Sequence, residues 1–272
     1  MAEFEPLNLK KLYIPKPASH KGQNGKLLII GGSVLFHAAS LWALNIASKI
    51  VDMVFYSSVD SNNEIVQREK QEFRNGIIVP REKIEHYIDE ADAILIGPGL
   101  PREEGIEKGD DDTKKLTEEL LSKHPNKKWV VDGGSLQVIR PEILPMDSII
   151  TPHKQEFELL FGIEPTVVNI KKMAKRYKIT ILLKGKEDLI VNKEESVIVK
   201  GGNQGMTKGG TGDVLAGLTA SFYCKNGAFL SASSASYINK KAGESLYRKV
   251  GLYFNSSDLV NEIPIVMKEL IL

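Results

Sequence analysis

Seven short apolar runs punctuate the chain, at residues 27–30, 53–56, 77–79, 93–96, 129–131, 148–150 and 179–183. Each is too short for an ordinary helix and is rich in Val, Ile and Leu, the pattern of strands buried on both faces of a sheet. Between them lie stretches of helical spacing. Residues 38–51 carry Leu41, Leu44, Ile46, Ala47 and Ile50, and 81–90, 113–123, 155–161 and 168–177 look similar but more polar outside. Strand and helix in alternation predict an α/β protein, a mostly parallel central sheet sandwiched by helices. Residues 188–200 break the alternation. Two strand-like runs, 189–191 and 196–199, flank the polar turn 192–195, which predicts a hairpin at a sheet edge. From Gly212 to Leu246 the chain turns rich in Ala, Ser and Gly, with Leu215, Leu218 and Phe222 at helical spacing. Two closely packed helices are expected, 213–224 and 228–247, then a closing helix 257–270 capped by Ser256 or Ser257. No Pro/Ser-rich linker divides residues 1–272, so a single domain is expected.

Composition narrows the function classes. The 272 residues are 42% hydrophobic and carry 36 Lys+Arg against 35 Asp+Glu. A net charge of +1 gives no reason to expect a nucleic-acid or membrane-surface binder. No basic, apolar leader opens the sequence, and no stretch approaches the ~20 apolar residues of a membrane span. The lone Cys224 allows no intramolecular disulfide, sits in a small apolar stretch and reads as a packing residue; a reducing cytoplasm is the natural location. Residues 108–112 read as an exposed acidic loop, because its carboxylates lack the spacing of a calcium loop.

The most informative stretch is Met206-Thr207-Lys208-Gly209-Gly210-Thr211-Gly212-Asp213, which runs straight into an apolar-periodic helix. Glycines remove side chains that would block a ligand, and several N–H groups can then converge on one anion at the positive end of the helix dipole. A carboxylate at Asp213 is odd for a phosphate binder, since like charges repel. It suits a base that takes a proton from a hydroxyl attacking phosphorus. A plain helix cap by Thr211, Gly212 or Asp213 is the competing reading. A P-loop and a Gly-x-Gly-x-x-Gly dinucleotide turn are both missing from the sequence.

Other loops follow predicted strands: Gly31-Gly32-Ser33, Gly97-Pro98-Gly99, Asp132-Gly133-Gly134, Thr151-Pro152-His153 and Lys184-Gly185-Lys186-Glu187-Asp188. A parallel sheet places its ligands at that edge, although Gly and Pro also serve plain turns. Thr151 reads as a helix cap with Pro152 at the first helical position and Glu156 in the first turn. His153 has no job in that account, so it is the more suggestive residue. The Lys184–Asp188 loop can wrap phosphates or ribose, or be a charged hairpin approach. Asp132 could reach substrate or a magnesium-bound water.

Gly209-Gly210-Thr211-Gly212-Asp213 resembles the Gly-x-Gly-Asp element of the ribokinase-like superfamily. With Gly31-Gly32-Ser33, Ile96-Gly97-Pro98-Gly99-Leu100, Thr151-Pro152-His153 followed by Glu156, Lys184-Gly185 and Asn203-Gln204-Gly205-Met206-Thr207, it is similar to the ADP/ATP-dependent NAD(P)H-hydrate dehydratases over roughly residues 20–250. The resemblance implies a three-layer α/β/α ribokinase-like fold and a repair reaction. The hydroxyl of the S epimer of hydrated NADH or NADPH is phosphorylated by ADP or ATP, and phosphate then leaves. It implies Asp213 as base with the amides of Gly209, Gly210, Thr211 and Gly212 holding the phosphoryl group, Ala38, Gly99, His153 and Asp213 at the hydrate, and Lys184, Gly185, Lys186, Glu187, Asp188 and Gly212 at the nucleotide. It further implies Mg²⁺ between nucleotide phosphates, no dedicated protein metal site, a cytoplasmic homotetramer, and an epimerase supplied by another protein. His37, Pro101 and Gly134 depart from the family pattern; Gly134 removes a second carboxylate, so no role tied to that group carries over. Two other readings stay open: a kinase of a vitamin-precursor alcohol of hydroxymethylpyrimidine or hydroxyethylthiazole type, and a non-catalytic nucleotide sensor.

Overall fold

The computed structural model describes residues 1–69, 75–102 and 105–272. One sheet runs through it. Its strands are β1 (Ala2–Glu3), β2 (Lys26–Ile30), β3 (Met53–Ser57), β4 (Ile77–Ile78), β5 (Ala93–Ile96), β6 (Trp129–Val131), β7 (Ile149–Ile150), β8 (Thr180–Leu183), β9 (Asp188–Val191) and β10 (Ser196–Val199). They lie in the order β1-β10-β9-β8-β7-β6-β5-β2-β3-β4, and only β9 runs antiparallel to its neighbours. The helices are α1 (His37–Ala47), α2 (Asp60–Glu69), α3 (Ile84–Glu90), α4 (Thr113–Lys123), α5 (Gly133–Val138), α6 (Lys154–Phe161), α7 (Val167–Tyr177), α8 (Thr211–Tyr223), α9 (Ala228–Val250) and α10 (Ser256–Ile271).

Strand alternation divides the core in two. Leu27, Ile29, Val54, Leu95 and Val130 face a layer built from α1, α8, α9 and α10. Leu28, Ile30, Phe55, Ile94 and Val131 face α3 to α7. This is the expected α/β/α sandwich, and every predicted strand is present to within a residue at each end. The alternation also explains why the runs are apolar throughout: neither face of the central strands meets water.

Four local expectations change. The hairpin β9–β10 is not the sheet edge, because Ala2 and Glu3 pair in parallel with Val197 and Ile198. Two residues carry no periodicity to read. The closing helix is capped by Asn255, whose side chain accepts from the Ser257 and Asp258 amides, rather than by a serine. Helices α2 and α5 were not legible, since one is strongly polar and the other opens on two glycines. The acidic loop is less exposed than expected. Asp110 accepts from the Val34 amide, Asp111 pairs with Arg81 at 2.6 Å, and Asp112 caps α4.

Helices α1 and α8 pack closely enough that a Cβ on Gly217 would stand 2.8 Å from the Ala43 backbone. That contact fixes the start of α8 relative to the sheet. Overpacking of this kind costs about 1–3 kcal/mol. Gly217→Val is therefore expected to lower stability by about that amount, read as a reduced urea midpoint with an unchanged slope.

Candidate active site

The candidate residues converge where the parallel strands end, and the topology accounts for it. Strands β6, β7 and β8 are neighbours. Asp132, Thr151 and Lys184 are the first residues past their respective ends, so they stand side by side. Lys184 Nζ donates to Asp132 Oδ1 at 2.8 Å, and the Thr151 hydroxyl donates to the same oxygen at 2.7 Å. Glu156 Oε2 lies 3.8 Å from Lys184 Nζ, and Gln137 donates to its other oxygen at 3.2 Å. Asp132 and Glu156 are 2% and 3% exposed, so both carboxylates depend on these partners. Burial works against the Lys184 ammonium, but Asp132, Glu156 and Asp213 outweigh it and hold it above its ordinary value.

Asp213 is the third residue of α8 and half-buried. Burial pushes its carboxyl up, the Asp132 charge adds to this, and Lys184 offsets only part, leaving it at about 7. A Cβ on Gly212 would stand 3.6 Å from Lys184 Nζ, so the ammonium also faces the mouth of α8. The amides of Gly209, Gly210 and Gly212 have no acceptor among the described residues. Free N–H groups at a helix start form an anion site. Thr211 adds no hydroxyl to it, because its Oγ1 turns inward to the Met206 and Lys208 carbonyls at 2.7 and 3.0 Å.

This loop is braced from behind. Gly210 has φ 92°, and a Cβ there would collide with the Trp42 ring, so only glycine fits the turn. Ser256 Oγ donates to the Gly209 carbonyl at 2.7 Å. Lys208 donates to the Leu252 and Phe254 carbonyls.

A second wall forms from the loops after β2 and β5. The Gly32 amide donates to the Pro98 carbonyl at 2.7 Å, and a Cβ on Gly99 would meet the Phe36 carbonyl at 2.3 Å. Gly99 thus lies against the start of α1, with Ala39 Cβ as its next neighbour and Ala38 partly exposed. Gly134 has a steric reason: a Cβ there would stand 2.1 Å from the Leu100 carbonyl.

The reading of Thr151 as a helix cap is corrected. His153, not Thr151, caps α6: its Nδ1 accepts from the Glu156 amide at 3.1 Å while Glu156 accepts from the His153 amide at 2.9 Å. In the 184–188 loop, Asp188 is 4% exposed and shapes the turn. It accepts from the Gly185 amide and from Ser236 at 2.9 and 2.7 Å, with Lys240 at 3.3 Å. Lys186 and Glu187 are exposed at its tip.

The sequence model of the NAD(P)H-hydrate dehydratase family matches residues 27–265. The chain belongs to this family. It is 33% identical over 284 residues to the ADP-dependent (S)-NAD(P)H-hydrate dehydratase of Nitrosopumilus maritimus, covering 96% of this chain and 95% of that protein. It is 39% identical over 269 residues to the bifunctional NAD(P)H-hydrate repair enzyme Nnr of Methanocaldococcus jannaschii, covering 96% of this chain and 52% of that one. The chain therefore spans about half the length of the bifunctional relatives it matches. The ADP/ATP-dependent NAD(P)H-hydrate dehydratase from Bacillus subtilis, co-crystallised with ATP/Mg²⁺, shares the ribokinase-like fold, with TM-score 0.82, 20% identity and coverage of 99% and 98% of the two chains. Within this family member, sequence reasoning missed the Lys184 link to Glu156 and the bracing by Trp42 and Lys208. No short motif encodes either, because the partners are brought together by strand order and helix packing.

The cluster yields a titration test. Asp213 should titrate near pH 7 by carbon NMR of its carboxyl. Asp132→Asn removes a neighbouring negative charge and should lower that midpoint, whereas Lys184→Met should raise it. Because the folded-state value lies above the ordinary 3.8, the stability this group permits is complete below about pH 4 and is lost as pH rises to about 7. Asp213→Asn should accordingly out-stabilise the native chain at about pH 8 and match it near pH 4 in thermal unfolding.

Proposed function

We propose that this protein dehydrates the S epimer of hydrated NADH or NADPH, with ADP or ATP as phosphoryl donor. The observation that carries the reading is a half-buried carboxyl, Asp213, set beside free glycine amides at a helix mouth, where burial pushes it up to about 7. At neutral pH an appreciable share of Asp213 is ionised, and a base works best when its pKa lies near the working pH.

The chemistry follows from that geometry. Asp213 accepts the proton of the hydrate hydroxyl as its oxygen attacks the terminal phosphorus of the nucleotide. A new oxygen–phosphorus bond forms, and the bond to the departing nucleotide breaks. The amides of Gly209, Gly210 and Gly212 hold the phosphoryl oxygens in flight, with the Lys184 ammonium facing the same mouth. Phosphate is a far better leaving group than hydroxide, so its loss with a ring proton restores the reduced nicotinamide. Thr211 contributes position through its buried hydroxyl.

In this reading Ala38, Gly99 and His153 border the hydrate. Lys184, Gly185, Lys186 and Glu187 border the nucleotide, with Asp188 holding that loop in shape. Among the described residues no group of three His, Cys, Asp or Glu could hold a metal. Mg²⁺ carried on the nucleotide phosphates belongs to this reading. A cytoplasmic homotetramer belongs to the same reading.

The test is incubation with chemically hydrated NADH, Mg²⁺ and either ADP or ATP. Return of the reduced-nicotinamide absorbance together with released phosphate is the expected result. A stable phosphorylated product would mark a small-alcohol kinase instead, a reading that the family match disfavours. Asp213→Asn should reduce turnover by about 10²- to 10⁴-fold while nucleotide affinity stays within about twofold. Undiminished turnover in that variant removes Asp213 as the base.

A further inference from the structure

At the edge of the sheet opposite Asp213 lies a cavity of about 310 Å³. Three helices run to it from the candidate site. Lys49 and Ile50 follow the end of α1, Ser221 and Phe222 belong to the last turn of α8, and Met267, Lys268 and Ile271 to the last turns of α10. Residues 12–15 close one side as a strap, held where the Tyr13 amide donates to Asn226 Oδ1 and its hydroxyl to Asn24 Oδ1, both at 2.8 Å.

The lining is mainly apolar, and each charged side chain along it is a lysine: Lys49, Lys225 and Lys268. Lys225 Nζ lies 3.4 Å from Asp92. Lys49 and Lys268 are exposed, and their ammonium groups have no acidic or hydrogen-bonding partner among the described residues. An apolar slot with unneutralised cations at its rim complements a molecule that is apolar along its length and negative at one end. The volume falls at the small end of the ~300–1,000 Å³ typical of small-molecule sites, room for a chain and not for a dinucleotide.

We infer that this cavity binds an amphipathic anion, a linear alkyl chain of about eight to twelve carbons with a single carboxylate or phosphate head. The chain lies among Ile50, Phe222, Met267 and Ile271, and the head sits between Lys49 and Lys268. The site is separate from the chemistry at the other edge, and its occupancy is read without turnover.

Calorimetric titration of the full chain with octanoate, decanoate, dodecanoate and dodecyl phosphate, each below its micelle concentration, tests this. Dodecyltrimethylammonium serves as the cationic counterpart. One saturable site is expected, tightening about threefold per added methylene, with no saturable binding of the cation. The order of dodecanoate and dodecyl phosphate identifies the preferred head. Lys49→Glu combined with Lys268→Glu changes two exposed positions and should weaken binding at least tenfold with an unchanged melting temperature. Ile271→Trp fills the slot and should abolish it. Absence of a saturable site, equal binding of the cation, or undiminished binding by the double variant overturns the inference, and the double variant decides the matter if Ile271→Trp fails to fold.

Discussion

Three carboxylates share one ammonium at the ends of β6, β7 and β8, and the candidate site depends on that imbalance. Lys184 is bonded to Asp132, close to Glu156 and turned toward the mouth of α8. Among the described residues Lys184 is the ammonium within 4 Å of Asp132 and Glu156, and it offsets only part of what raises Asp213. Asp132 has Thr151 and Lys184, and Glu156 has Gln137 and the His153 amide. Asp213 has its own amide and a partial offset from Lys184, and burial leaves it poised near neutrality. The acid strength of Asp213 thus arises first from burial at the mouth of α8, with strand adjacency adding the Asp132 charge.

The anion loop is held by a different device. Glycines that leave amides free also leave a floppy chain, since each has more conformational freedom to lose on folding. Here the entry to α8 is clamped by the Trp42 ring under Gly210, by Ser256 on the Gly209 carbonyl, and by Lys208 reaching to the 252–254 segment. Preorganised donors are worth more than donors that must be ordered during reaction. A lysine inside a glycine-rich loop is easily read as a phosphate ligand; in this fold its charge is spent on two carbonyls.

Much of the architecture was legible because central strands buried on both faces leave short, unbroken apolar runs. What escaped had no such signature. Ala2 and Glu3 form a strand only because β10 offers a free edge, and α5 begins on Gly133 and Gly134, residues that usually argue against a helix. At the site, the glycine-rich entry to Asp213 could be read from spacing and chemistry. The ties among Asp132, Glu156 and Lys184 could not, because they join residues up to 52 positions apart. The Thr-Pro-His segment misled for a specific reason. Threonine before proline is a good cap in general, but the chain stays extended through Thr151 and Pro152, and the helix starts three residues after Thr151.

That last feature constrains the imidazole itself. A ring nitrogen that accepts from a backbone amide must present its lone pair, so Nδ1 of His153 carries no hydrogen while the cap is formed. The neutral ring then bears its only N–H on Nε2. The fold has chosen one of two tautomers: in its capping state the ring is a donor through Nε2, which lies 3.5 Å from Glu156 Oε1. The same capping pair seats the first turn of α6, from which Glu156 reaches toward Lys184.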